Sequence, residues 1–230
     1  MYKKLAFEEQ IVTVQLGTIE LSAELVIPED AKGIIIVPHT SSSIEYSYRY
    51  RYLAHLLHQA GLATILIHLL TVEEDNLDQR CKHFRYDIRH LANRLIGITD
   101  WLASNPITRN FKIGYCTASA DGGASLLAAT ERPVAVGAVV SRAGQTDLLG
   151  SALSYLQTPT LLIVGGKDYP TLVMNEDALA QIPTPNKNLE IIPEATHQFQ
   201  EPGALEEVAR LASQWFKHHL EPVKSQLICS

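Results

Sequence analysis

Three residues stand where an alternating α/β chain does its chemistry. Ser119 follows the apolar stretch "IGYC" by a sharp turn, Asp168 follows "LLIVGGK", and His197 follows "LEIIPEAT". A hydroxyl, an imidazole and a carboxylate brought together make a nucleophile, a general base and the group that orients the base. That is the equipment for acyl transfer through a covalent intermediate. Taken singly, each has a plainer reading, because Asp fills turns and caps helices, Ser starts helices, and His197 is one of nine histidines. Their joint placement after three apolar runs is what selects the chemistry. Cys116 is a second nucleophile three residues before Ser119, and the residue types alone leave the choice between them open.

The elements that must position these side chains are legible as periodicity. "IVTVQLGTIELSAELVIP" alternates apolar and polar residues around Gly17, as an antiparallel hairpin does. "GIIIVP" is a short β-branched run of the kind buried on both faces of a parallel sheet. It is followed by a helical pattern, "YRYRYLAHLLHQA", that ends at Gly61. Further strands are expected at "ATILIHLL", "NFKIGYC", "VGAVVS", "TPTLLIVGG" and "NLEIIP". Helices are expected over 86–104, 120–130, 147–156 and 172–181, and from Ala204 to Leu220. This order predicts a doubly wound, mostly parallel sheet with an N-terminal antiparallel hairpin, binding its ligand at the carboxyl ends of the strands. No linker composition or internal repeat interrupts it, so a single domain over 1–230 is expected. The polar stretch 71–87 reads as the longest loop, either a lid or partner contact or a solvated connection. His55, His58, His90, His218 and His219 are placed on solvated helix faces.

Composition narrows the function. A net charge of -6 lacks the basic face that nucleic acid requires, which leaves small-molecule ligands. Three cysteines, Cys81, Cys116 and Cys229, have neither disulfide-framework nor zinc-ligand spacing, and they suit a reducing cytoplasm. The opening "MYKKLAFEEQ" has no apolar secretory core, and no apolar run approaches the roughly 18 residues of a membrane span. No metal or organic cofactor is implied.

The chain resembles the dienelactone hydrolase-like branch of the α/β-hydrolases, including members fused to phosphoribosyltransferases. The resemblance runs from "LSAELVIP" through "VPHTSSS", "YRYLAHLLHQAGLATILIHLLT", "IGYCTASADGGASLLAA", "AVVSRAG" and "PTLLIVGGKD" to "IIPEATHQFQEPGALEEVARLASQWFKHHL". It implies an α/β-hydrolase fold, whose triad partners follow in the order Ser, Asp, His. Matching "ADGGASLLAA" to the family helix puts Ser119, not Cys116, at the nucleophile turn, although "GYCTA" imitates the start of the G-x-C-x-G pattern of dienelactone hydrolases proper. Cys116 then reads as a small buried apolar residue. The oxyanion donors are expected at the backbone N–H of Ala120 and at Thr40 or Ser41. His39 is expected to orient that loop rather than act as a base, and it counts among the substrate-binding candidates. Arg49, Arg51, Tyr52 and Arg142 match family residues; they either hold a substrate carboxylate, for which Arg49 and Arg142 are the candidates, or tie loops together by salt bridges.

The chain also departs from the family pattern. G-x-S-x-G is replaced by Thr117-Ala118-Ser119-Ala120-Asp121, so Thr117 and Asp121 are expected to crowd the turn by about 1 to 3 kcal/mol, with Gly122 and Gly123 as relief. "HTSSS" replaces a His-Gly loop, and His68 stands where relatives tend to carry Asp. The expected activity is hydrolysis of an ester or lactone by Ser119, His197 and Asp168. Its rivals are a non-catalytic binding protein on the same scaffold and a cysteine-dependent hydrolase using Cys116.

Overall fold

A computed structural model describes residues 7–40 and 44–220. Eight strands form one sheet in the order β1-β2-β4-β3-β5-β6-β7-β8. β1 (Glu9–Leu16) and β2 (Ile19–Val26) are the hairpin, and β2 runs antiparallel to β4 (Ala63–His68). From β4 through β3 (Ile34–His39), β5 (Ile113–Ala118), β6 (Val136–Arg142), β7 (Thr160–Gly165) and β8 (Lys187–Ile192), every pairing is parallel. This is the mostly parallel, doubly wound sheet with an N-terminal antiparallel hairpin that the periodicity predicts.

Its central strands are near-continuous apolar runs because helices cover both faces. α1 (Ile44–Gln59) and α6 (Ala204–Leu220) cover one face, burying Leu53, Leu57, Val208 and Phe216 against Ile35, Val37 and Ile163. α3 (Ile88–Ser104), α4 (Ser119–Glu131) and α5 (Tyr169–Gln181) cover the other, with Leu91, Leu95, Leu126 and Ala178 against Ile34, Ile36 and Leu162. The chain order reverses between β3 and β5. Their carboxyl ends, at His39 and Ala118, therefore flank the crevice where such sheets bind ligands.

Two expectations are corrected. The stretch 71–87 is not a loop: it holds α2 (Val72–Cys81) and a 3-10 turn, Phe84–Tyr86. A capping box starts the helix, with Glu74 N–H donating to Thr71 Oγ1 at 3.2 Å and Thr71 N–H donating to Glu74 Oε2 at 2.9 Å. The buried carboxylate of Asp78, paired with Arg85, ties the 3-10 turn back to it. Polar composition hid this helix, because caps and ion pairs support it more than apolar burial does. His58 is buried rather than solvated, its Nε2 2.7 Å from Thr64 Oγ1, and burial pushes its pKa down to about 4. Among the described residues, no helix is long and apolar enough to cross a membrane.

Candidate active site

β5 is buried along its whole length and ends at Ala118 in extended backbone, φ -146° and ψ 156°. The next residue, Ser119, has φ 49°, a left-handed conformation that a residue with a Cβ adopts only under strain, and α4 begins there. The Ser119 side chain is thereby presented above the end of the sheet. Its Oγ lies 3.1 Å from His197 Nε2, and His197 Nδ1 lies 2.6 Å from Asp168 Oδ2. A carboxylate only accepts, so Nδ1 carries the proton and Nε2 is left to accept from the Ser119 hydroxyl. Asp168 stands at the N-cap position of α5 but does not cap that helix; its carboxylate turns to His197 instead. The imidazole is 41% exposed and the carboxylate 11%, so the ring meets solvent while the carboxylate it contacts is shielded.

The loop that carries His197 is seated on β7. A Cβ added at Gly165 would lie 2.4 Å from the Ala195 carbonyl oxygen, so only glycine permits that approach. Lys167 N–H donates to Ala195 O at 2.9 Å. Arg49 holds the other side of the loop, donating to the carbonyls of Gln198 and, at 3.3 Å, Phe199.

A cleft of about 250 Å³ opens at Ser119 and His197. Arg49 and Arg142 line it, as do Tyr50, Tyr86 and Gln145, three residues that sequence reasoning did not single out. Tyr50 comes from α1, beneath the ring of His39 at 5.3 Å between centroids, and the Arg142 guanidinium sits 5.3 Å from its ring centre. His39 does not itself line the cleft; it braces Tyr50, with His68 edge-on to it at 4.9 Å. Tyr86 belongs to the 3-10 turn within the stretch whose length had marked it as a contact candidate. Arg51 pairs with Glu24, and Tyr52 donates to Glu206 at 2.9 Å, so both tie elements together outside the cleft. Ala120 is buried in the first turn of α4, Thr40 follows β3 half-buried and does not line the cleft, and Ser41 lies outside the described residues.

A crystal structure of dienelactone hydrolase from Anabaena variabilis superposes with a TM-score of 0.90 at 55% identity, covering 94% of this chain and 99% of that one. The chain belongs to the dienelactone hydrolase family. Est1E from Butyrivibrio proteoclasticus (TM-score 0.72, 14% identity, 91% and 98% covered) shares the fold. So does an α/β serine hydrolase without lid from Xanthomonas campestris (0.71, 17%, 94% and 97%). Two Mycobacterium tuberculosis proteins with phosphoribosyl transferase in their names are 45% identical over 92% of this chain, which spans 47% of their length. No family model matches the chain.

Within this dienelactone hydrolase scaffold the two possible nucleophiles are in opposite environments. The Cys116 thiol is buried in the core, and burial pushes its pKa up to about 11, which suppresses the thiolate needed for attack. Thr117, where crowding is expected, is fully buried with its hydroxyl hydrogen-bonded. Ser125 donates to Gly122 O at 2.8 Å, so the fully buried Thr117 hydroxyl donates to Ser125 Oγ at 2.8 Å. Gly122 and Gly123 serve a different neighbour. The segment after β6 crosses them so closely that a Cβ on Gly123 would stand 2.3 Å from the Gln145 carbonyl oxygen, while Gln145 N–H donates to Ser119 O at 2.9 Å. Asp121 is 3% exposed, and desolvation lifts its pKa to about 7 against the pull of Arg142.

Proposed function

We propose that this chain hydrolyses a small ester or lactone through Ser119. Asp168 holds His197 in the tautomer whose Nε2 accepts the Ser119 proton as Oγ attacks the carbonyl carbon. The tetrahedral oxyanion is met by the Ala120 N–H, and His197 then protonates the leaving oxygen. Water, deprotonated by the same imidazole, attacks the acyl-enzyme and releases Ser119. Of the two candidate arginines, Arg142 is better placed to hold a substrate carboxylate, because Arg49 already donates to two loop carbonyls. The name of the Anabaena relative supports a lactone or ester as substrate class. The phosphoribosyl transferase names belong to proteins about half of whose length this chain spans, and we do not extend that activity to it.

The observation that carries the reading is the unbroken run of contacts from Ser119 Oγ to His197 to Asp168, starting at a strained strand-to-helix turn. A second reading, a binding protein that keeps the scaffold, draws on one feature, an acidic residue buried two positions after Ser119 where the family pattern has glycine. Hydrolysis of short-chain p-nitrophenyl esters by purified protein separates them. Ser119→Ala is expected to lower kcat at least about 10³-fold, and Cys116→Ala to retain most of the rate. A parent rate unaltered in Ser119→Ala, after contaminating esterases are removed, overturns the reading.

A further inference from the structure

α1 borders two separate spaces. Arg49 and Tyr50 line the cleft, whereas Arg51, Ala54, His55 and His58, one helix face at three- and four-residue spacing, line a cavity of about 300 Å³ beside β2 and β4. The sheet gives that cavity the apolar side chains of Val26 and Leu66, and the Phe7 ring lines it at 5.2 Å from the His58 ring. Its charges do not balance. Glu9 and Glu24 bring two carboxyl groups to the one guanidinium of Arg51, which pairs with Glu24 yet is 55% exposed. Burial lifts the Glu24 carboxyl above the ordinary carboxylate range; Arg51 opposes the rise and Glu9 adds to it. His58 is 8% exposed, and its Nε2 meets the buried Thr64 hydroxyl, which has no other partner among the described residues. That hydroxyl therefore donates to Nε2, and the ring proton sits on Nδ1, a donor for which the described residues supply no acceptor.

We propose that this cavity is a second binding site, for a small organic amine that also carries a hydroxyl or carbonyl oxygen and an apolar body. The ammonium group supplies the charge that Glu9 and Glu24 lack after Arg51 has offset one of them. The oxygen accepts from His58 Nδ1. The apolar body lies on Val26 and Leu66 beside the Phe7 ring, whose face also attracts a cation. Apolar walls with a few placed polar groups, at a volume near the lower end for small-molecule sites, are what such a ligand needs. The cleft at Ser119 offers an amine no such place, because Arg49 and Arg142 line it. The two spaces share no lining residue, so the second site stands or falls independently of the hydrolase reading.

Amide chemical-shift titration of the full chain at neutral pH with 2-amino-1-phenylethanol locates the binding and gives Kd. The shifts are expected to cluster at residues 54–58 of α1 and 24–26 of β2 and to leave Ser119 and its neighbours in place. 1-Phenylethanol, which lacks the ammonium group, should bind at least about tenfold more weakly, the size of one partly screened charge pair. Phenethylamine, which lacks the hydroxyl, should bind several-fold more weakly, as the loss of one hydrogen bond does. Glu24→Gln should weaken the amino alcohol by at least about tenfold and leave 1-phenylethanol unchanged. Ala54→Leu, which fills the cavity, should abolish binding of all three. Shifts confined to the cleft, a neutral alcohol or a plain amine that binds as tightly as the amino alcohol, an unaltered Kd in Glu24→Gln, or no saturable binding at millimolar concentration overturns the proposal. Should Ala54→Leu not fold, the comparison of the three probes and the Glu24→Gln arm decide it.

Discussion

At the scale of the residue, the site depends on where polar atoms are buried. Cys116 and Ser119 are three residues apart, yet one is sealed in the core and the other stands in a left-handed turn against His197. Asp121 gives the sharpest residue-level prediction. Its folded pKa lies above the unfolded value, so the folded state keeps a proton that the unfolded chain releases. The stability it contributes is complete below about pH 4 and is lost as pH rises to about 7, beyond which the loss is constant. Across roughly three pH units at about 1.4 kcal/mol each, the loss is at most about 4 kcal/mol. Asp121→Asn should therefore match the parent near pH 4 and be more stable by up to that amount at pH 8, measured by urea unfolding at each pH. Equal stability at pH 8 would show that Asp121 is not desolvated.

Among the elements, α4 has the narrowest tolerance. Its first turn carries Ser119 and is crossed by the Gly144–Gln145 segment, which Asn175 of α5 holds by donating to Gly144 O at 3.0 Å. The helix that starts at Ser119, the strand-end loop of β6 and the helix that follows Asp168 are thus locked together. Gly123→Ala should push the Gln145 carbonyl and, through the Gln145 N–H bond, the Ser119 backbone. We expect a loss of about 1 to 3 kcal/mol from overpacking, with ester hydrolysis falling by at least tenfold at temperatures where the variant remains folded. Thermal melts and steady-state rates check both parts, and a variant that melts lower with normal kcat would uncouple the crossing from the site. The α2 stretch shows the contrasting case, an element made mainly by caps and ion pairs, whose Tyr86-bearing turn reaches the cleft.

Considered as a whole, the molecule is one sheet with an apolar layer on each face. Trp101 on α3 packs on one layer and Trp215 on α6 on the other, and the same strands contribute side chains to both. Neither layer can dissolve without exposing the far side of strands the other needs. Unfolding is therefore expected to be a single transition. Trp101→Phe and Trp215→Phe, each leaving one indole as reporter, should give coincident fluorescence midpoints that also match the far-ultraviolet circular dichroism. Separate midpoints would mean that the two faces are independent units and would refute the single-domain reading.

The amino-acid sequence by itself determined the alternation of strands and helices and the placement of Ser119, Asp168 and His197 after strands. It did so because apolar periodicity is local and strand ends are where a run of Ile, Val and Leu stops. It also carried the family, through motifs spread over most of the chain. Tertiary structure alone decided which partner each polar group found. Arg49 was spoken for by the His197 loop, Asp168 faced an imidazole rather than capping its helix, and Thr117 found Ser125. Tyr50 and Tyr86 reached the cleft from α1 and from a 3-10 turn far apart in the chain. The physical reason is that burial and partnering are set by groups arriving from other elements. A pattern of types along one segment reports the face a residue occupies but not what crosses it, and so the burial of Asp121 shows only once the other elements have closed over the first turn of α4.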